Sequence, residues 1–134
     1  MRVLLDTHIL LWSAFDSPKL PDAVKIMIQD ETNEIICSTA SIWEVAIKHS
    51  ADPERLKFSG LELARYCRAA GYEILPITDS HVAALETLRR KENAPRHKDP
   101  FDRILIAQAK AERLVFITHD HLLEGYDEPF IYKI

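Results

Sequence analysis

The chain has 134 residues, 47% hydrophobic and 28% charged, with a net charge of −4. This composition reads as one soluble domain over residues 1–134, long enough to bury a core without disulfide or metal staples. No apolar run approaches the ~18–20 residues of a membrane span, and the acidic balance excludes a generic nucleic-acid coat while leaving room for a local basic patch.

The first apolar run, RVLL (2–5), reads as a buried strand. An acid and a histidine interrupt MRVLLDTHILLW and no small-residue cleavage site follows, so this start is a strand entering the fold, not a signal peptide. Helical periodicity follows over 7–15 and 22–30. EIICS (34–38) is the second strand, with a helix over 40–50 behind it. A further helix, 60–70, ends at Gly71, a suitable C-cap. YEILPI (72–77) leads into a helix over 79–91. A helix over 101–112 precedes the fourth strand, RLVFIT (113–118), and PFIYKI (129–134) reads as the last strand. Strands and helices that alternate, with nearly continuous apolar strands, predict a parallel sheet covered on both faces. The expected fold class is α/β: a three-layer α/β/α domain with a central parallel sheet of about five strands. Cys37 and Cys67 lack a C-x-x-C spacing and read as buried free thiols, which suits a reducing cytoplasm.

Several tenants of such a fold are excluded. The three glycines, Gly60, Gly71 and Gly125, are scattered. None forms a G-x-G-x-x-G or P-loop cradle for phosphates. No G-x-S-x-G elbow supports a hydrolase triad. DTH at Asp6 lacks the second acid of a D-x-D phosphatase. A receiver-like phosphoacceptor would need paired acids after the first strand, and LLDTH has one.

What remains is a set of acids with a common address. Asp6 ends the first strand, Glu44 lies one turn into the helix after the second, and Asp120 follows the fourth. Asp102 starts the helix before the fourth strand, in KDPFDRILIAQA. The carboxyl ends of parallel strands share one edge, where ligands bind. Each acid also has a capping reading: Asp6 for helix 7–15, Ser41 with Glu44 as a capping box, Asp99 as N-cap ahead of Pro100, Asp120 for the turn HDHLL. Four converging carboxylates repel one another and resist desolvation. A divalent cation relieves both effects, and oxygen ligands favour Mg²⁺ or Mn²⁺ over zinc.

Four blocks, LLDTHILLW, STASIWEVAIKH, DPFDRILIAQA and FITHD, occur in an order and spacing that resembles the PIN domain, in particular VapC-like ribonuclease toxins of toxin–antitoxin pairs. The resemblance runs from residue 2 to about 120. It puts the family's acidic quartet on Asp6, Glu44, Asp102 and Asp120; Asp99 is an extra acid, either ligand or N-cap. It implies a metal-dependent endoribonuclease, usually a homodimer, silenced by a cognate antitoxin protein. The alternative is a non-catalytic PIN-like module that binds metal with RNA or protein. Its mark would be a broken quartet, and here the quartet is whole.

Phosphodiester hydrolysis needs an activated water and charge relief on the leaving oxygen, which carboxylate-held Mg²⁺ supplies. Asp6 and Asp102 read as ligands, Glu44 as a ligand or the group that orients the water, and Asp120 as a ligand, directly or through water. Thr7 and Thr118 are candidates to fix carboxylates or waters by hydrogen bonds, or plain structural threonines. RRKENAPRHK (89–98) is the densest basic run: Arg89, Arg90, Lys91, Arg96 and Lys98 against Glu92. With Arg103, it suits positioning of RNA phosphates or a solvated helix end. His8, His97, His119 and His121 lie near the acids, as candidate proton donors or as satisfied side chains. Trp12, Phe15 and Trp43 read as core, or as groove walls for an antitoxin helix. Which RNA is cut is not encoded in these motifs.

Overall fold

A computed structural model describes residues 1–134. Strand β1 (Arg2–Leu5) leads directly into helix α1 (Thr7–Ala14), and α2 (Asp22–Gln29) follows. Next come β2 (Glu34–Ser38), α3 (Thr39–Ala51), α4 (Gly60–Ala69), β3 (Glu73–Leu75) and α5 (Asp79–Leu85). Helix α6 (Pro100–Glu112), β4 (Val115–Thr118), a 3₁₀ turn (His121–Gly125) and β5 (Ile131–Lys133) complete the chain. The five strands are all parallel, in the order β3-β2-β1-β4-β5. No helix is long and apolar enough to cross a membrane.

The period-2 alternation of strand side chains divides the core in two. Leu4, Ile36 and Phe116 point to one face, where Leu105, Ile106 and Ala109 of α6 cover them. Val3, Leu5, Ile35, Cys37 and Ile117 point to the other, under Ile9 and Leu10 of α1, Val24 of α2 and Leu63 of α4. Each such fully buried aliphatic side chain contributes roughly 1.5–3 kcal/mol relative to exposure. This is the expected three-layer α/β/α architecture, and both cysteines are buried free thiols.

Several elements are shorter than their sequence pattern: β4 starts only at Val115, after the left-handed Arg113 ends α6, and β5 covers only Ile131–Lys133. The third strand stops at Leu75, because Pro76 has no N–H to continue the ladder. The helix expected over 79–91 ends at Leu85. Glu86, Thr87 and Leu88 close tight i→i−3 bonds, and the Thr87 hydroxyl donates to the Ala84 carbonyl at 2.6 Å. The chain then leaves the helix, and Arg90 pairs in a β-bridge with Tyr126.

β1 and β4 are adjacent and parallel, so their carboxyl ends emerge side by side. That pairing delivers Asp6 and Asp120 to the same edge of the sheet.

Candidate metal centre

Asp6 is only 4% exposed. Its Oδ1 accepts the Thr7 backbone N–H at 2.7 Å, capping α1, and its Oδ2 accepts the Thr118 hydroxyl at 2.6 Å. The Thr118 hydroxyl in turn accepts the Asp120 backbone N–H at 3.0 Å. One threonine at the end of β4 therefore ties the two acids together. Burial pushes the Asp6 carboxyl up and Glu44 adds to the effect, against hydrogen bonds from Thr118 and Thr7 that pull it down. Of the two readings of Thr7, the structural one holds: its hydroxyl donates to Ser41 at 2.9 Å and reaches no carboxylate.

Glu44 does not serve a capping box. Ser38 caps α3 through Ala40 N–H, so the helix begins before Ser41 and Glu44 falls in its interior. Glu44 is 6% exposed. Its Oε2 accepts Lys48 Nζ at 2.6 Å, the expected i,i+4 pair. Its Oε1 is buried with no hydrogen-bond partner, and a buried orphan of this kind is rare.

Asp102 lies in the first turn of α6, behind Asp99 and Pro100. Asp99 Oδ1 accepts the Phe101 and Asp102 backbone N–H groups at 2.8 and 3.2 Å, so Asp99 is the N-cap. Asp102 Oδ2 meets His97 Nε2 at 3.1 Å. Burial first, then the charges of Asp6, Asp99, Glu44 and Asp120, push the Asp102 carboxyl up to about 8. All four other acids thus act on one carboxylate. Asp120 caps the 3₁₀ turn by accepting Leu122 N–H at 2.9 Å. Ligand atoms of His97, Asp102 and Asp120 lie within 4.8 Å of one another. Burial, then the nearby Arg90, lower the His97 pKa against the raising effect of Asp120 and Asp99, which favours the neutral ring.

These residues fit a hard divalent cation. Most donors are carboxylate oxygens, beside the His97 ring; one buried oxygen lacks a partner, and one carboxyl, raised to about 8 by burial and then by the surrounding acids, holds a proton at neutral pH. A cation would satisfy the first and displace the second.

The sequence matches the family model of the PIN domain over residues 3–129. The chain belongs to the PIN-domain family. No curated protein matches it in sequence. Solved structures share its fold. The crystal structure of VapBC2 from Rickettsia felis, bound to a DNA fragment from their promoter, contains a chain 15% identical, with a TM-score of 0.70. That match covers 100% of this chain and 98% of the other. A toxin–antitoxin complex from Klebsiella pneumoniae contains a chain 20% identical, with a TM-score of 0.59, covering 98% of this PIN domain and 99% of its match.

Around the acids, the PIN domain sorts its basic residues differently from their order in the sequence. Arg89, Lys91, Arg96 and Lys98 are exposed, and Arg103 is half-buried. Arg90 is turned inward: its nitrogens donate to the Pro95 and Leu122 carbonyls and its guanidinium lies over the Tyr126 ring. A cleft of about 670 Å³ opens beside Thr7 instead, carrying Lys19, Lys48 and Arg55 against Asp52. These cations come from separate segments, so no local run in the sequence announced them. Trp12 lies between His8 and His119, at centroid distances of 6.4 and 5.2 Å. His8, His119 and His121 are exposed. Phe15 and Trp43 are not core: each is more than half exposed, packed edge-on against Phe58 and Phe101. Tyr126, which no motif singles out, is buried and bonds His97. Its only local signal is an aromatic after Gly125.

Proposed function

We propose that this PIN domain is a Mg²⁺- or Mn²⁺-dependent endoribonuclease that hydrolyses RNA phosphodiester bonds. The observation that carries the reading is the convergence of Asp102, Asp120 and His97 ligand atoms within 4.8 Å, with burial, and then the charges of Asp6, Asp99 and Glu44, also raising the Asp102 pKa. Asp6, Asp102 and Asp120 would hold the cation, with Glu44 as a further ligand or as the acceptor that orients water. When bound, such a cation lowers the pKa of water and neutralises charge on the phosphodiester. The chain's own residues do the rest. Thr118 fixes one Asp6 oxygen, and Lys48 pairs with one oxygen of Glu44 and leaves the other, buried, without a partner. Asp102 gives up its proton as the site fills. Arg89, Lys91, Arg96, Lys98 and Arg103, with Lys19 and Arg55 in the cleft beside Thr7, would position phosphates.

The same reading makes the protein a cytoplasmic toxin held by a cognate antitoxin, and a homodimer. Support comes from the toxin–antitoxin complex that shares the fold. The exposed apolar side chains Trp43, Ile47 and Leu61 on α3 and α4 offer surface for a protein partner. The test is to incubate the purified protein, free of any partner, with end-labelled single-stranded RNA. Cleavage should require Mg²⁺ or Mn²⁺, stop with a chelator and return when the ion is added back. RNA left intact at saturating metal would contradict the proposal.

A further inference from the structure

Tyr126 is the largest fully buried side chain of the protein, and its polar end leads toward the acids. Its hydroxyl lies 2.7 Å from His97 Nδ1, and the opposite ring nitrogen, Nε2, lies 3.1 Å from Asp102 Oδ2. The Tyr126 and His97 rings meet edge to face, with centroids 5.4 Å apart and planes at 87°.

Arg90 holds the other side of the tyrosine. Its Cζ sits 4.6 Å from the ring centroid. Nε donates to the Pro95 carbonyl at 2.9 Å and Nη1 to the Leu122 carbonyl at 2.8 Å. Backbone bonds from Lys91 N–H to Gly125 O at 2.7 Å and from Asp127 N–H to Arg89 O at 2.9 Å complete the clamp. Gly125 is required for it, because a Cβ at that position would collide with the Arg90 guanidinium.

The acceptor settles the direction of the chain. An Asp102 that holds a cation is an ionised carboxylate and only accepts, so the hydrogen of the 3.1 Å contact is carried by His97 Nε2. Nδ1 of the neutral ring then has no hydrogen and accepts from the Tyr126 hydroxyl at 2.7 Å.

We infer that Tyr126 and Arg90 are positioning residues: Arg90 clamps the tyrosine, the tyrosine hydroxyl fixes His97 with Nε2 protonated, and that N–H holds Asp102 Oδ2 in place for a divalent cation. The inference rests on the proposed metal-dependent reading and adds residues remote from the acids to it. Partners of this kind fix both the tautomer and the carboxylate they bond.

The experiment uses Tyr126→Phe, which keeps the ring and its packing against Arg90 and removes only the hydroxyl. Gly125→Ala is its companion, displacing Arg90 from a position remote from the acids. Three quantities are read on each: Mn²⁺ affinity by calorimetry, the His97 tautomer from ring ¹⁵N shifts in the Mg²⁺-loaded protein, and kcat and KM for RNA. The parent should show His97 protonated on Nε2. Tyr126→Phe should lose that preference, bind Mn²⁺ about 10-fold more weakly and lose kcat with KM unchanged. Gly125→Ala should move all three in the same direction by less. A merely structural clamp would lower thermal stability and leave tautomer and Mn²⁺ affinity alone. The inference is overturned if the parent carries its proton on Nδ1, or if either folded variant binds Mn²⁺ like the parent. A parent that binds no Mn²⁺ would overturn the proposed function, and this inference with it.

Discussion

The Lys48 ammonium lies 2.6 Å from Oε2 of Glu44, one turn back along α3, and leaves Oε1 of that carboxylate buried without a partner. The pair is asymmetric, since Lys48 is more than half exposed while Glu44 is almost wholly buried. An exposed partner holds an ion pair weakly. The lysine therefore anchors one oxygen and does not compensate the other.

Glu44→Gln keeps the shape and removes the charge. We expect metal-dependent cleavage to fall by about 10²-fold or more, with thermal stability of the metal-free protein unchanged or raised. Lys48→Ala should lower stability by no more than ~1 kcal/mol. Paired melting curves and cleavage rates on the two variants check both statements.

Stability should depend on pH in an unusual sense. Asp102 moves from 3.8 when unfolded to about 8 when folded, driven by burial and by Asp6, Asp99, Glu44 and Asp120. The folded state thus binds the proton more tightly. Its contribution is fully present below about pH 4 and is lost as pH rises through 8. After discounting for the solvent that reaches the group, the loss is on the order of 3 kcal/mol. Metal-free melting temperatures should fall between pH 5 and 8 by this contribution, and Mg²⁺ should restore more stability at pH 8 than at pH 5. Asp102→Asn should flatten the dependence.

Asp99 and Asp102 divide their labour. Asp99 caps α6 through two backbone N–H groups, so Asp99→Ser should keep the cap and most activity. Asp99→Ala should lose ~1 kcal/mol. Asp102→Ser should abolish metal-dependent cleavage while the protein stays folded. An Asp99→Ser variant as inactive as Asp102→Ser would place Asp99 among the ligands.

The strand pattern and the acids were legible in the sequence because each is a local signal. Val3, Leu4 and Leu5 read as a buried strand whichever face each takes, and Asp6 follows at its end. Arg90 was misleading for the same reason. In the sequence it belongs to a basic run, but its partners, Pro95, Leu122 and Tyr126, are set by the fold. The Ser41–Glu44 spacing likewise fits a capping box, and only the earlier cap at Ser38 turns Glu44 into an interior carboxylate. Tyr126 and the cleft cations Lys19, Lys48 and Arg55 depend on the meeting of distant segments, which no spacing rule encodes.

If the cleft beside Thr7 carries RNA, Lys19→Ala and Arg55→Ala should each weaken RNA binding at every sequence tested. Removing one cation that pairs with a phosphate should reduce the slope of log affinity against log salt by about 0.7. Filter binding across a salt series, with Asp6→Asn as background to prevent cleavage, measures this. Slopes equal to the parent's would remove these residues from the RNA path.

The most direct measurement compares the parent with Asp6→Asn in cleavage of the same labelled RNA at saturating Mg²⁺, with melting temperature recorded for both. Asp6 is buried and bonded to Thr7 and Thr118, and Asn retains the shape and an accepting oxygen, so the fold should survive. The parent should cut RNA only with the metal present. Cleavage by Asp6→Asn should fall by orders of magnitude, with a melting temperature equal to the parent's or higher. Asp6→Asn cutting RNA as fast as the parent would contradict the assignment of these acids to a catalytic metal site.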